Sequence, residues 1–209
     1  MKRLIIIGAG GHGKVCANIA FDMKKWDSIE FIDDNYSVLK KCLEFKIIGS
    51  MEDLPMLPDD YDYFVAIGNN EVRKKIIVEL EKMHKKIATL IHPTATIGLN
   101  VLIKEGTSIH QNVTINVDST IGKGCIINTA TIVEHENTIN DFVHLSPNVA
   151  LGGQVSIGSQ TWIGIGSTII NNVSIGNDII VGAASLVLQN IEESNKVYYG
   201  IVKNGGKHT

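Results

Sequence analysis

Residues 97–126 read IGLNVL IKEGTS IHQNVT INVDST IGKGCI, and each group of six begins with isoleucine. The period extends in both directions: every sixth residue from 91 to 187 is Ile, Leu or Val, which makes 17 consecutive matches. If about a quarter of residues were of these types, chance would give such a run on the order of once in 10¹⁰ trials. A six-residue period fits neither an α-helix nor a single strand, and it indicates a repeat architecture.

A triangular prism satisfies this pattern, with one short strand and one corner for each hexad. The aliphatic first position and the usually small or β-branched fifth position point inward, with Asn137 as the exception among the fifth positions. Three hexads complete one coil, so residues 18 apart stack in parallel ladders. We expect tight corners at six glycines: Gly98, Gly122, Gly158, Gly164, Gly176 and Gly182.

The first part of the chain has a different pattern and most of the charge. Residues 1–88 hold 28 of the 41 Asp, Glu, Lys and Arg side chains, whereas residues 91–190 hold eight. Short apolar runs predict strands at 2–7, 29–32 and 63–67, and helical spacing predicts helices at 14–25 and 71–86. This alternation predicts a small parallel α/β domain over 1–88, followed by the repeat domain over 89–209 with a short C-terminal tail.

Composition and charge exclude several classes of partner. The formal net charge of −3 offers no basic face for nucleic acid. No apolar run approaches the roughly 20 residues that span a bilayer, so we expect a cytoplasmic protein without membrane insertion. The three cysteines match neither a disulfide framework nor a zinc ribbon, and we expect buried, reduced thiols.

A glycine-rich turn follows the first predicted strand. Gly8, Gly10 and Gly13 precede a helix, and Asp33 lies twenty residues beyond Gly13, which matches the dinucleotide-binding fingerprint. A dehydrogenase is one reading, but 88 residues are too few for two mononucleotide-binding halves. A glycine turn at a helix N-terminus also binds the pyrophosphate of a nucleotide sugar. Glycines that serve only close packing are the remaining alternative.

The richest polar segment of the repeat domain contains two histidines between residues 128 and 144. A histidine beside a carboxylate suits general-base catalysis of acyl transfer, because its ordinary pKa of about 6.5 lies near the operating pH. His135 is the candidate base, with Glu136 or Glu134 to orient it. The oxyanion would need donors such as backbone N–H groups, His144 or Asn128. Zinc is a weaker alternative, because the candidate ligands His110, His135 and His144 occupy different positions of their hexads.

Several motifs together resemble the bacterial hexapeptide-repeat sugar O- and N-acyltransferases, which include sialic acid O-acetyltransferases and UDP-4-amino-sugar N-acetyltransferases. The motifs are the residues 8–13, 31–34, 66–75 and 128–136, with His144. The resemblance implies a left-handed parallel β-helix after a Rossmann-like domain, a homotrimer, and acetyl-CoA as cosubstrate without a metal. It implies catalytic roles for His135 and Glu136, acetyl-CoA contacts at His144, Ile165 and Ala183, and nucleotide-sugar contacts at Gly10, Gly11, His12, Asp33, Asp34 and Gly68.

The resulting hypothesis is an acetyl-CoA-dependent N-acetyltransferase for a nucleotide-linked 4-amino-deoxysugar, preferably a UDP-sugar, in surface glycan biosynthesis. One alternative is acetylation of a sugar hydroxyl, on sialic acid or a capsule sugar. Another is a non-enzymatic nucleotide-binding scaffold trimer. The C-terminal sequence departs from the family pattern, because residues 200–203 lack its Pro-Ala pair; Lys203 or Lys207 is a candidate contact to the CoA phosphates.

Overall fold

The computed structural model describes residues 1–203 and divides the chain into two compact units. The first unit is Met1–Pro93 and the second is Thr94–Thr209. The division thus falls five residues after the expected end of the first domain at residue 88. Among the described residues, no helix combines the length and apolar character needed to cross a membrane. Lys207 lies outside the described residues.

The first unit is an α/β domain. Its elements in chain order are β1 (Arg3–Ile7), α1 (Gly11–Met23), β2 (Ser28–Ile32), β3 (Lys41–Cys42), β4 (Phe45–Gly49), a 3₁₀ helix (Met51–Met56), β5 (Asp62–Val65), α2 (Asn70–Lys82), β6 (Lys86–Ile87) and β7 (Leu90–Ile91). Six of the strands form one sheet of order β3-β4-β2-β1-β5-β6. All neighbouring strands of this sheet are parallel except the β3–β4 hairpin.

The three predicted strands and two predicted helices are present, but two details of the helices were wrong. Helix α1 begins at Gly11, inside the expected glycine turn. In α2 the sequence spacing places Val72, Ile76, Leu80 and Met83 on one face; of these Leu80 is buried, but Val72 is exposed, and the other buried residues are Arg73 and Ile77. The buried Arg73 guanidinium donates to the carbonyl oxygens of Ile67 and Gly68, both at 3.0 Å. A buried arginine is stable only with such hydrogen bonds.

The second unit is the expected parallel β-helix, built from two-residue strands, and those between residues 96 and 187 each end on the aliphatic first position of a hexad. Three sheets form the faces of the prism. The first face contains β10 (Ser108–Ile109), β13 (Ile126–Ile127), β16 (His144–Leu145), β19 (Trp162–Ile163), β22 (Ile180–Val181) and β24 (Val197–Tyr198). The second contains β8 (Thr96–Ile97), β11 (Thr114–Ile115), β14 (Ile132–Val133), β17 (Ala150–Leu151), β20 (Thr168–Ile169), β23 (Leu186–Val187) and β25 (Ile201–Val202). The third contains β9 (Leu102–Ile103), β12 (Thr120–Ile121), β15 (Thr138–Ile139), β18 (Ser156–Ile157) and β21 (Ser174–Ile175).

The register of the ladders confirms the stacking of residues 18 apart, as in the pairing of Ser108 with Ile126. The aliphatic first positions from Ile109 to Val187 are each at most 2% exposed, so they form a continuous core. The chain near the C-terminus also belongs to the prism, because Ile201–Val202 pairs with β23 and Val202 is buried. Lys203, which follows it, is exposed.

The six corner glycines have a different role from the expected one. None of them has a positive φ; the left-handed corner residue is the fourth position of a hexad and is usually Asn, Asp or another non-glycine residue, such as Glu136 with φ 57°. A Cβ on Gly122 would lie 2.5 Å from the backbone of Asn140, and one on Gly164 would lie 2.6 Å from that of Ala183. These glycines therefore allow close approach between successive coils.

Candidate active site

His135 and Glu136 lie together at the corner between the second and third faces. Their side chains are about half exposed, and His135 Nδ1 is 3.0 Å from Glu136 Oε2. Gln154, one coil further on, donates from Nε2 to the same oxygen at 3.2 Å. Glu134 is turned away, because its Oε2 accepts a hydrogen bond from Asn116 at 3.0 Å. Glu136 is therefore the carboxylate that contacts the ring.

The imidazole of His135 lies directly over Gly153, its neighbour one coil along. A Cβ on Gly153 would come within 2.5 Å of both Cε1 and Nε2 of the ring. A carboxylate can only accept this hydrogen bond, so its contact at Nδ1 favours the tautomer that carries the ring proton on Nδ1 and the lone pair on Nε2. The pair can take a proton at Nε2 while the carboxylate stabilises the imidazolium that forms.

His144 lies on the outward side of the first face, where it stacks on Trp162. The two rings are 5.8 Å apart at their centroids with an interplanar angle of 10°. Trp162 donates from Nε1 to Ser146 Oγ at 2.8 Å, which fixes the indole. On the preceding coil, Asn128 places its Nδ2 atom 3.4 Å from His144 Nε2. His144 is thus a half-buried polar group between the indole of Trp162 and the amide of Asn128.

The two histidines lie on opposite sides of the prism within one chain. His135 is at the corner between the second and third faces, and His144 belongs to the first face. In a triangular prism, the corner between two faces is opposite the remaining face. One subunit therefore does not bring the two side chains together.

Ile165 and Ala183 occupy equivalent positions on successive coils, at the corner between the first and second faces. Ala184 donates its N–H to Ile165 O at 2.8 Å, which ties these two turns together. Both side chains are exposed, and Ile165 is 54% exposed. They thus form an apolar step on the same side of the prism as His144.

In the first unit, three polar turns meet at one edge of the sheet. The turns follow β1, β2 and β5, and β1 lies between the other two strands, so this edge is the topological switch point where open α/β sheets bind ligands. Ala9 N donates to Asp33 Oδ2 at 2.7 Å, and Asn35 donates to Asp33 Oδ1 through its backbone N–H at 2.9 Å and its side chain at 3.0 Å. Burial alone would raise the pKa of Asp33, but these hydrogen bonds outweigh it and hold the pKa below its ordinary value.

The glycine turn leaves the start of α1 accessible. Gly10 and Gly11 are exposed, with no atom near the place of a Cβ, whereas a Cβ on Gly13 would overlap the carbonyl oxygen of Gly8. Gly13 therefore serves packing, and Gly10 and Gly11 leave room for a ligand. Neither a capping side chain nor an acidic residue occupies the first turn of α1, whose backbone N–H groups suit an anion.

The remaining predicted residues of this unit surround that turn. Burial, together with the charge of Arg73, lowers the pKa of His12 to about 4, so the ring is neutral at physiological pH. The exposed Asp34 accepts a hydrogen bond from Met51 N at 3.1 Å. Gly68 is held by Arg73, which also donates to Asn70 Oδ1 at 2.7 Å.

Three residues of these sites were not among the predicted site residues. Gln154 and Trp162 lie 18 residues beyond Glu136 and His144, so the coil length derived from the repeat could have identified both. Arg73 belongs to a motif quoted for the family resemblance, but its spacing in α2 gave no sign that it faces inward.

Comparison with known proteins identifies the family. Residues 3–80 match the family model described as the PglD N-terminal domain. The structure superposes on the acetyltransferase domain of PglB from Neisseria gonorrhoeae with a TM-score of 0.92 and 31% sequence identity, covering 96% of this chain and 97% of that chain. The chain belongs to the hexapeptide-repeat sugar N-acyltransferase family. The expected family, fold and acetyltransferase class are confirmed.

Other members of this N-acyltransferase family differ in the sugar nucleotide. PerB from Caulobacter crescentus, solved in complex with CoA and GDP-perosamine, is 32% identical with a TM-score of 0.90, covering 96% of this chain and 95% of that chain. A UDP-N-acetylbacillosamine N-acetyltransferase from Bacillus subtilis is 36% identical over 109 residues, which span 51% of this chain and about half, 50%, of that protein. The PglB domain has also been solved with acetyl coenzyme A, in agreement with the cosubstrate expected from the sequence.

Proposed function

We propose that this protein transfers the acetyl group of acetyl-CoA to the amino group of a nucleotide-linked 4-amino-deoxysugar, preferably a UDP-sugar, in surface glycan biosynthesis. The observation that carries the proposal is the hydrogen bond between His135 and Glu136 on the prism corner of a chain from this family. A cytoplasmic location and a homotrimer are parts of the same proposal.

In this reaction His135 is the general base and Glu136 orients it. The sugar amine attacks the thioester carbonyl carbon, a C–N bond forms and the C–S bond breaks. His135 Nε2 takes the proton that the amine loses, and the imidazolium returns it to the departing sulfur, so that CoA leaves as its thiol. Glu136, held also by Gln154, keeps the proton on Nδ1 and stabilises the imidazolium.

For the donor, we propose that acetyl-CoA lies along the side of the prism that carries His144, Ile165 and Ala183. The exposed apolar step of Ile165 and Ala183 supports contact with the pantetheine arm. His144, stacked on Trp162, supports a polar contact to the acetyl end. Lys203 remains a candidate contact to the CoA phosphates.

For the acceptor, we propose that the nucleotide sugar binds at the switch point of the first unit. Gly10, Gly11 and the open start of α1 support a pyrophosphate contact, and neutral His12 supports a hydrogen bond rather than an ion pair. Asp33, Asp34 and Gly68 are the other residues that we propose to contact the nucleotide sugar.

A direct assay tests the reaction. Full-length protein is mixed with acetyl-CoA and one acceptor at a time: a UDP-4-amino-4,6-dideoxysugar, the corresponding GDP-sugar, and free sialic acid as a hydroxyl acceptor. We expect thiol release and an N-acetylated product with the UDP-amino sugar. For His135→Asn we expect kcat to fall by about 10²-fold or more. Acetylation of sialic acid alone would contradict the proposed acceptor, and full activity of His135→Asn would contradict the proposed base.

The opposite placement of His135 and His144 supports a site shared between subunits. Light scattering measures the oligomeric state, and co-expression of His135→Asn chains with His144→Ala chains tests the sharing. If each site takes one histidine from each of two subunits, random mixing restores roughly a quarter of the sites. Mixed oligomers no more active than the two separate variants would contradict a shared site.

A further inference from the structure

Asn137 interrupts the regular pattern of the repeat directly beside the proposed base. It occupies the inward fifth position of its hexad, where the other hexads have small or β-branched residues, and it is 1% exposed. A primary amide in a solvent-free core is unfavourable unless its donors and acceptor are all hydrogen-bonded.

Hydroxyl residues at other fifth positions show what this position normally does. The side chain donates to the carbonyl oxygen 15 residues ahead and accepts from the backbone N–H 18 residues ahead. Thr107 donates to Gly122 O at 2.7 Å and accepts from Cys125 N at 3.0 Å. Thr161 makes the corresponding bonds to Gly176 O at 2.7 Å and from Ile179 N at 3.1 Å. These bonds link successive coils.

Asn137 makes both of these bonds and has one more donor to use. Its Nδ2 donates to Gly152 O at 3.0 Å, and its Oδ1 accepts from Val155 N at 3.0 Å, which fixes the orientation of the amide. The second hydrogen points back along the chain, where Nδ2 lies 2.5 Å from Glu134 O and 3.4 Å from His135 O. Threonine and serine lack this second donor.

This extra donor holds the backbone that carries the proposed base. The half-exposed side chains of His135 and Glu136 contact each other, Gly153 and Gln154, and their positions also depend on the corner backbone. Glu134 O accepts from Asn137 Nδ2 and also from Ser119 Oγ at 3.0 Å. His135 O accepts from Gln154 N at 3.0 Å, with Asn137 Nδ2 as a second, longer donor at 3.4 Å. The corner is thereby tied to the coil that contributes Gly153 and Gln154.

We infer that Asn137 is a positioning residue, which holds the His135–Glu136 pair in the geometry needed for proton transfer. This inference rests on the proposed function of His135. It explains why this hexad has an amide where a hydroxyl or an aliphatic residue would suffice for the fold.

The test is Asn137→Thr, which keeps the two coil-to-coil bonds in the form seen at Thr107 and removes the donor to the corner. We expect kcat for acetyl transfer to fall roughly tenfold, with the KM for each substrate within about twofold. The matched control is Thr107→Val, which removes both coil-to-coil bonds on another face. We expect it to lower Tm at least as much as Asn137→Thr, with kcat unchanged.

A measurement without substrates separates this inference from the proposed function. The ¹⁵N chemical shifts of the His135 ring, assigned by comparison with His135→Asn, report which nitrogen carries the proton. We expect the wild type to hold the Nδ1–H tautomer and Asn137→Thr to populate both tautomers. Wild-type kcat and tautomer in Asn137→Thr would overturn the positioning role. Tautomer exchange in Asn137→Thr together with full activity of His135→Asn would overturn the proposed base and its proton transfer, and would leave to Asn137 only the orientation of the His135 ring.

Discussion

Replacing Gly153 with alanine tests the position of the His135 ring most directly. The added Cβ would lie 2.5 Å from Cε1 and Nε2, whereas carbon atoms in contact are ordinarily 3.5 to 4.0 Å apart. The ring therefore has to move by about 1 Å. A displacement of that size can reduce the rate about 10²-fold, equivalent to about 2.7 kcal/mol in the activation free energy.

The fold itself should tolerate this substitution. Gly153 does not have a positive φ, and the equivalent third position of another hexad is already alanine at Ala183. We therefore expect the free energy of unfolding to change by less than about 1 kcal/mol, measured by chemical denaturation.

The assay is kcat from thiol release with acetyl-CoA and a UDP-4-amino sugar, measured for Gly153→Ala, His135→Asn and the double variant. If Gly153 acts through the His135 ring, the double variant is no slower than His135→Asn. Gly153→Ala with more than half of the wild-type kcat would refute the reasoning, because the ring would then not need its observed place. A further loss in the His135→Asn background would refute it as well.

Two more predictions concern the first unit. Since the pKa of His12 is about 4 when folded and about 6.5 when unfolded, the unfolded chain binds the extra proton between these values and stability falls as the pH is lowered. Between about pH 7 and pH 5 the free energy of unfolding should fall by roughly 2 kcal/mol because of His12. Urea denaturation should show this fall in the wild type, and His12→Gln should lack it. Equal pH dependence of stability in both proteins would contradict the prediction. Asp33→Asn weakens the charge-assisted bond to Ala9 N, so we expect the KM for the nucleotide sugar to rise roughly tenfold with the KM for acetyl-CoA unchanged. Steady-state kinetics with each substrate varied checks this, and equal effects on both KM values would argue against a local role in sugar-nucleotide binding.

The sequence could predict those features that repeat or that depend on neighbours in the chain. Each hexad of the prism has the same environment, so every aliphatic first position is independent evidence for the same repeat fold. The family resemblance implied that Glu136 pairs with His135, whereas the residues alone left Glu134 and Glu136 open because both adjoin the histidine. The switch-point turns were predictable because glycine and aspartate follow the buried strands of a parallel sheet.

Features that depend on the detailed environment of one residue were not predictable in this way. The periodicity of α2 suggested that Val72 lies on the buried face, but Val72 is exposed and Arg73 is buried, where its guanidinium donates to backbone carbonyl oxygens. The six glycines suggested turns with unusual φ, whereas the space between coils is what they provide. Asn137 was only an exception to a pattern until its four bonding partners were known.

The sequence by itself determined the prism, the α/β unit and the chemical character of the two candidate sites, because the period of six and the strand-turn-helix spacing are properties of the chain. Only the tertiary structure decided which carboxylate contacts His135, what lies beneath its ring, and that His144 faces the other way. These depend on contacts between residues 18 or more positions apart, whose geometry is set by the stacking of coils and not by the residue types at either end.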